Sequence, residues 1–345
     1  MFAPIHRLSL VTVSPLLMLA IGCSDSGTTR TTTVAASVTV DTTRPSPSTG
    51  TAAAPAPAVS GTPRIVAYPD AEAAFQSGHY AEAADLFSAY TERKPDNPWG
   101  FYMLGLASWK SGNLAQADVA FGEALKLDPK HQKSLLNSAR VLLDLGRNDE
   151  ALDRVQSALA LDSTSAESWR VLGRTKVELG KPDEAIDAYR RAITLDDHDV
   201  WAMNNLALIY IQQGSPTEAL PPLARATQLK PAAPVFQNNL GQALEASGYP
   251  AAAEQAYQAA LAADSTYQKA SLALERVAGR GPDSTGTAVD ISSLARQFEA
   301  SVEQWRDALA GTSQAEPSRQ TAGAAAAGMA RDSTPEMMGR PESEH

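Results

Sequence analysis

The chain is short of cysteine, of aromatics and of positive charge. A single cysteine, Cys23, in 345 residues excludes a disulfide framework and a thiolate zinc site, each of which needs several. Lys and Arg number 29 against 39 Asp and Glu, a net charge of −10. So acidic a chain lacks the clustered cations that phosphate binding demands, and nucleic acid is not an expected partner. Aromatics are 6% while apolar residues reach 43%, with alanine abundant, which favours many small helix contacts over a sheet-based interior. The histidines His6, His79, His131, His198 and His345 are isolated and show no metal-binding spacing. Neither a Gly-x-Ser-x-Gly elbow nor a phosphate-binding or calcium loop appears. Acidic pairs such as Asp149-Glu150 and Asp183-Glu184 fall where second helices begin, positions that the helix dipole favours. No catalytic residue, metal or cofactor is expected.

Residues 1–22 read as a secretion signal, with Arg7 followed by an apolar stretch from Leu8 to Ile21. That stretch is too short for the roughly 20 residues of a spanning helix. It ends in Leu19-Ala20-Ile21-Gly22-Cys23, which resembles the bacterial lipobox. The resemblance implies a cleaved leader and lipidation of Cys23, although Ala20 stands where that motif prefers Leu. A cleaved signal with an unmodified cysteine is the other reading. Ser24, rather than Asp, follows the cysteine, which by the sorting rule of such lipoproteins implies the outer membrane, facing the periplasm. A periplasmic protein without an anchor is the alternative. Residues 23–63 are nearly all Thr, Ser, Ala, Pro, Val and Gly, too polar and too irregular to offset ordering entropy, and read as a disordered tether. Such a tether averages about 35 Å end to end and reaches at most about 130 Å.

Beyond it the chain repeats itself every 34 residues. Gly78, Gly112, Gly146, Gly180, Gly214 and Gly248 keep that spacing, as do Ala83, Ala117, Ala151, Ala185, Ala219 and Ala253. With Pro98 as position one of a unit, position eight is always small: Ala71, Gly105, Ala139, Gly173, Ala207 and Gly241. Position 24 is bulky: Phe87, Phe121, Val155, Tyr189, Leu223 and Tyr257. Each unit holds two apolar-periodic stretches, and the glycine falls where the first helix ends. Small residues let two helix backbones approach and bulky ones fill what is left. The expected fold is all-α, a stack of helical hairpins.

Phe101, Leu104-Gly105, Ala117, Phe121, Ala124 and Pro129, and again Trp169, Leu172-Gly173, Ala185, Tyr189 and Ala192, resemble the tetratricopeptide repeat. The resemblance covers six units, 64–97, 98–131, 132–165, 166–199, 200–233 and 234–267, with a capping helix at 268–280. It implies an α-solenoid flanked by disordered segments, in which the first helices line a concave groove for a protein or extended peptide. Pro69 makes the first helix short. Position 32 is Pro only at Pro95, Pro129 and Pro231, so the breaks after units three, four and six look loose.

Reading the groove stripe in this chain picks out three features. Trp99, Tyr102 and Trp109 in unit two, with Trp201 in unit five, offer aromatic surface of the kind that dominates interfaces; the first three equally suit a cover over the join to the short first helix. Arg140, Arg170 and Arg174 can converge on one carboxylate, or each can pair locally, Arg140 with Asp144 and Arg174 with Glu178. Asn204, Asn205, Asn238 and Asn239, together with Asn137, resemble the asparagine ladder by which proteins of this family hold a peptide backbone; ordinary polar edge residues are the other reading. The family's carboxylate clamp of Lys, Asn and Arg is not matched. Residues 281–310 hold a linker and an amphipathic helix at 290–309, with Ile291, Leu294, Phe298, Val302, Trp305 and Leu309 on one face. That helix folds back on the solenoid, pairs with a second copy, docks on the partner, or occupies the groove. Residues 311–345 read as a disordered tail. The layout resembles the six-repeat outer-membrane lipoproteins that help assemble the type IV pilus secretin. The expected function is therefore a membrane-tethered, non-catalytic scaffold. A soluble adaptor, or less readily an enzyme subunit, is the rival.

Overall fold

The computed structural model of the protein describes residues 67–279 and 288–314. The signal segment, Cys23, the tether and the tail from 315 onward lie outside the described residues. Fourteen helices, and no strand, make up the described part. Six hairpins follow one another: α1 (Tyr68–Gln76) with α2 (Tyr80–Arg93), α3 (Pro98–Ser111) with α4 (Leu114–Leu127), α5 (Gln132–Asp144) with α6 (Asn148–Leu161), α7 (Ala166–Glu178) with α8 (Pro182–Leu195), α9 (Val200–Gln212) with α10 (Pro216–Leu229), and α11 (Pro234–Ala246) with α12 (Pro250–Ala263). Two further helices, α13 (Gln268–Val277) and α14 (Ile291–Gln314), complete the described part.

The periodic glycines make the turns. Gly78, Gly112, Gly146, Gly180, Gly214 and Gly248 all lie at φ between 70° and 92°, the left-handed region that costs a residue with a Cβ about 1–2 kcal/mol. The next amide bonds back to the helix it has just left: Asn113 N–H donates to the Ser108 carbonyl at 2.8 Å, and Arg147 N–H to that of Leu142 at 2.9 Å. This closure ends each first helix and starts the next. Second helices end differently. Asp128, Asp162, Asp196 and Asp264 leave the helix in extended conformation, and their carboxylates accept the amides of Lys130, Thr164, His198 and Thr266 at 2.9–3.0 Å. The turns at Asp162, Asp196 and Asp264 hold the breaks after units three, four and six, where proline is missing, so those breaks are firm.

Within a unit the distance between its two helices is set by positions eight and 24. A Cβ placed on Gly105, Gly173 or Gly241 would come within 2.6 Å of the Phe121 ring, 2.7 Å of the Tyr189 ring and 2.5 Å of the Tyr257 ring. Units three and five, which carry Ala139 and Ala207, face these alanines with the smaller Val155 and Leu223. Unit one is the exception, with Ala71 beside Phe87. The rings and their smaller counterparts at position 24 are fully buried in every unit, each worth about 1.5–3 kcal/mol.

First helices of successive units also touch one another, while contacts between successive second helices are sparser. The first helices therefore form the inner, concave face and the second helices the outer one. On that outer face α14 lies against α8 and α10. Asp290 caps it by accepting the Ser293 amide at 3.0 Å. Phe298 and Val302 are buried, and the Arg190 guanidinium stands 5.3 Å over the Trp305 ring. Arg306 donates to the Thr194 carbonyl at the end of α8 (3.2 Å) and to Asp197 (2.8 Å), and Arg225 pairs with Glu299 at 2.6 Å. Back-folding on the solenoid is thus the arrangement the apolar stripe takes, and the groove is not its seat. The helix runs to Gln314 rather than stopping at Leu309, five residues past the end of its apolar stripe.

Gly105→Ala is expected to lower unfolding stability by about 1–3 kcal/mol, since the forced shift of the Phe121 ring outweighs the roughly 1 kcal/mol that alanine adds to a helix. Adding Phe121→Leu, which recreates the pairing of unit five, should recover much of that loss in urea or thermal unfolding. An equal loss in both variants would show that the ring contact is not its cause.

Candidate partner-binding groove

The inner face is lined by positions two, five, nine and twelve of the first helices, and its polar groups are linked from unit to unit. Asn137 donates to the Tyr102 hydroxyl (3.4 Å) and accepts from Arg140 (2.9 Å); Arg140 pairs with Glu167 at 2.6 Å. Arg170 stands 3.9 Å from Glu167 and 3.2 Å from Asp199. Asp199 in turn caps α9, accepting the Ala202 amide at 3.0 Å. A second chain joins Trp109 to Asp144 (2.9 Å) and Asp144 to Arg174 (2.7 Å). Arg140 and Arg170 thus share Glu167, Arg170 along its own helix, while Arg174 stands apart on Asp144, so the three do not converge on one group. Arg140 reaches Glu167 instead of Asp144, and Arg174 reaches Asp144 instead of Glu178. The reason is register: first helices of adjacent units run parallel, so residues about 30 apart in sequence face each other.

Electrostatics follow from these pairs. Burial works against the Glu167 carboxylate, but the Arg140 charge and hydrogen bond, aided by Arg170, hold its pKa below the usual carboxylate value. At Asp199 burial wins over Arg170, and the pKa is raised. Burial also raises the Tyr102 phenol and lowers the His131 imidazole.

The aromatic cluster at the N-terminal end is divided in role. Tyr102 is buried and belongs to the core of the first two units. Trp109 is half-buried and fixed by Asp144. Trp99 does two things at once: its indole N–H donates to the Tyr68 hydroxyl on α1 at 2.7 Å, covering the join to the short first helix, yet the residue stays 40% exposed. Tyr102 and His131 flank its ring, and Lys133 stands 5.4 Å over it. Trp201 packs edge-on against Phe236 at 4.9 Å. The asparagines Asn204, Asn205, Asn238 and Asn239 are all buried. They bond chiefly to one another, Asn204 to Asn205 at 3.3 Å, Asn238 to Asn239 at 3.2 Å, and Asn239 across units to Asn204 at 2.7 Å. Only the Asn238 carbonyl oxygen among them is buried without a partner.

This architecture matches known repeats. Family models described as tetratricopeptide repeat match residues 100–131, 131–198, 170–234 and 236–267. The chain carries tetratricopeptide repeats over those residues. No curated protein matches it. Among solved structures, crystalline MamA is 26% identical over 50% of this chain and 94% of its own, with a TM-score of 0.42. A thermophilic repeat protein of Thermus thermophilus is 20% identical over 52% and 98%, TM-score 0.47. The Cut9–Hcn1 hetero-tetramer of the APC/C is 18% identical over 61% and 42%, TM-score 0.54, a likeness of fold. Tetratricopeptide repeats form a protein-interaction fold, and proteins built from them are generally non-catalytic scaffolds with extended concave surfaces.

Reading the sequence picked out the arginines and asparagines of this lining and put Lys133, Asp144 and Glu167 on the same stripe, but it missed the cross-unit pairing of Asp144 and Glu167 with the arginines, and it missed Asp199 and Tyr68 altogether. The spacing of about 30 between opposite charges on successive first helices is the signal that finds the acids.

A carboxylate whose folded pKa is depressed contributes stability above its unfolded pKa and loses it as pH falls through the folded value. Glu167→Gln is therefore expected to lower the melting temperature near pH 7 and to flatten its decline from about pH 5 downward. Parallel melting curves of variant and wild type across that range would show that Glu167 carries no such linkage.

Proposed function

We propose that the protein is a non-catalytic scaffold that takes an extended peptide, or an extended segment of a larger protein, in the concave groove of its repeats. It is held to a bacterial envelope membrane, the outer membrane facing the periplasm, by a lipid on Cys23 and the tether that follows, and it assists assembly of an envelope complex. The observation that carries the groove reading is the state of its lining. The polar side chains from Tyr102 to Asp199 are ordered by bonds to each other, so a partner meets preset donors and acceptors and loses little to reorganisation. Beside them Trp99 presents an exposed ring with a cation over it, the kind of anchor that concentrates binding energy. The reading of the anchor is supported by the only cysteine standing at the end of the leader's apolar stretch, with Ser24 after it.

A photocrosslinking residue placed at Lys133 on the inner face, and in separate chains at Val119 on the exposed side of α4, is expected to capture the same cellular partner from the first position alone. Trp99→Ala should weaken that capture by about tenfold or more, the loss of one aromatic anchor. Equal capture from both faces would defeat the groove assignment. Cys23→Ser is expected to move the protein from the membrane to the soluble fraction; unchanged membrane association would defeat the lipid anchor.

A further inference from the structure

The turn between α8 and α9, Asp196-Asp197-His198-Asp199, is gripped from both faces of the stack. On the outer face Arg306 of α14 donates to Asp197 at 2.8 Å and to the Thr194 carbonyl at 3.2 Å, and the His198 ring shares Asp197 with it at 2.6 Å. On the inner face Arg170 of α7 pairs with Asp199 at 3.2 Å, with Glu167 farther off at 3.9 Å. Two carboxylates two residues apart thus hold arginines that come from opposite sides of the protein.

These acids are more than the turn itself requires. The other five turns that follow second helices carry Pro or Ser at the place of Asp197 and no acid at the place of Asp199. His131 and Ser165 cap their helices from that last place without a carboxylate. The acids at both places therefore answer to the two arginines. The turn is also stiff. The Asp199 amide donates to the Asp196 carbonyl at 3.1 Å, the His198 amide to the Asp196 carboxylate at 3.0 Å, and Asp199 accepts the Ala202 amide of α9 at 3.0 Å. It moves as one piece with the start of α9, so an arginine that places one side of it also places the other. A second link reaches the far end of the same helix: the Arg190 guanidinium stands over Trp305 of α14 and donates to the Tyr210 hydroxyl of α9 at 2.9 Å.

The geometry points to α14 as a strap coupled to the inner face: its seating on the outer face and the Arg170–Asp199 pair support each other through the Asp197–Asp199 turn, so that loosening one loosens the other. The first pair to form orders the turn, and the second forms on a turn already in place, which is positive coupling. The coupling stands without the groove reading above. Joined to that reading, an acidic group of a partner that draws Arg170 from Asp199 loosens α14, and a loosened α14 uncovers part of the apolar cluster that Phe298 and Val302 share with Ile186 and Leu220.

Hydrogen exchange tests the link in the full chain, because detachment of a single helix shows as faster exchange of its own amides. Wild type, Arg170→Ala, Arg306→Ala and the double variant are compared. Arg170→Ala, a change on the opposite face, is expected to speed exchange in α14 by about fivefold or more and to add nothing once Arg306 is gone. Exchange in α14 that Arg170→Ala leaves unchanged, or speeds equally with and without Arg306, overturns the coupling. In the reverse direction Arg306→Ala is expected to speed exchange at Ala202 and Met203 in the first turn of α9, while the equivalent amides of α5 keep their rates. Unchanged rates at Ala202 and Met203 overturn the coupling too. If Arg170→Ala alone unfolds because it leaves Asp199 buried and unpaired, Arg170→Ala with Asp199→Ser takes its place. That pair keeps a cap of the kind Ser165 gives α7, and the same two outcomes decide. No readout involves a partner, so the result is independent of the groove reading.

Discussion

How near the two helices of a hairpin can come is the constraint on which the rest depends. Where position eight is glycine, an aromatic ring lies flat against the first helix; where it is alanine, the neighbour shrinks to valine or leucine. The sum of the two is roughly constant in units two to six, so successive hairpins have similar thickness and stack in one register. That register brings residues 27 to 35 apart in sequence face to face across adjacent units, as with Arg140 and Glu167 at 27, Arg170 and Asp199 at 29, and Trp109 with Asp144 and Asn204 with Asn239 at 35. A thickness that varied from unit to unit would put these partners out of reach.

The same constraint explains which features the sequence declares. Gly112 and its equivalents announce the turns because only glycine takes that backbone shape cheaply, a local requirement that leaves a mark at a fixed interval. The pairing of Gly173 with Tyr189 is also written in one unit, sixteen residues apart. The partners of the arginines are not local. Whether Arg174 meets Glu178 on its own helix or Asp144 on the previous one depends on how far each unit turns against the last, a property of many contacts summed. Asn204 and Asn238 are a related case: their positions lie on the groove stripe, but both are buried and bonded to the neighbouring asparagines. The stripe on α14 is evident as a pattern, whereas its seat against α8 and α10 depends on contacts between residues far apart in sequence, such as Arg306 with Thr194 and Glu299 with Arg225.

The position of α14 bears on the groove even though it lies on the opposite face. It touches the second helices of units four and five together, with Arg306 on the end of α8 and Glu299 on Arg225 of α10, so the two hairpins cannot rotate against each other without breaking one of these contacts. On the inner side those are the hairpins that present Arg170 and Arg174 from one and Asn204 and Asn205 from the other. A repeat stack is otherwise held only by nearest-neighbour interfaces, and its softest motion is a twist between units that would open or close the inner face. A helix strapped across the outer face at that joint fixes the separation of the arginine and asparagine sets. The geometry of the inner lining at this joint is thus held from the outside, through the shared helices, by residues of the opposite face.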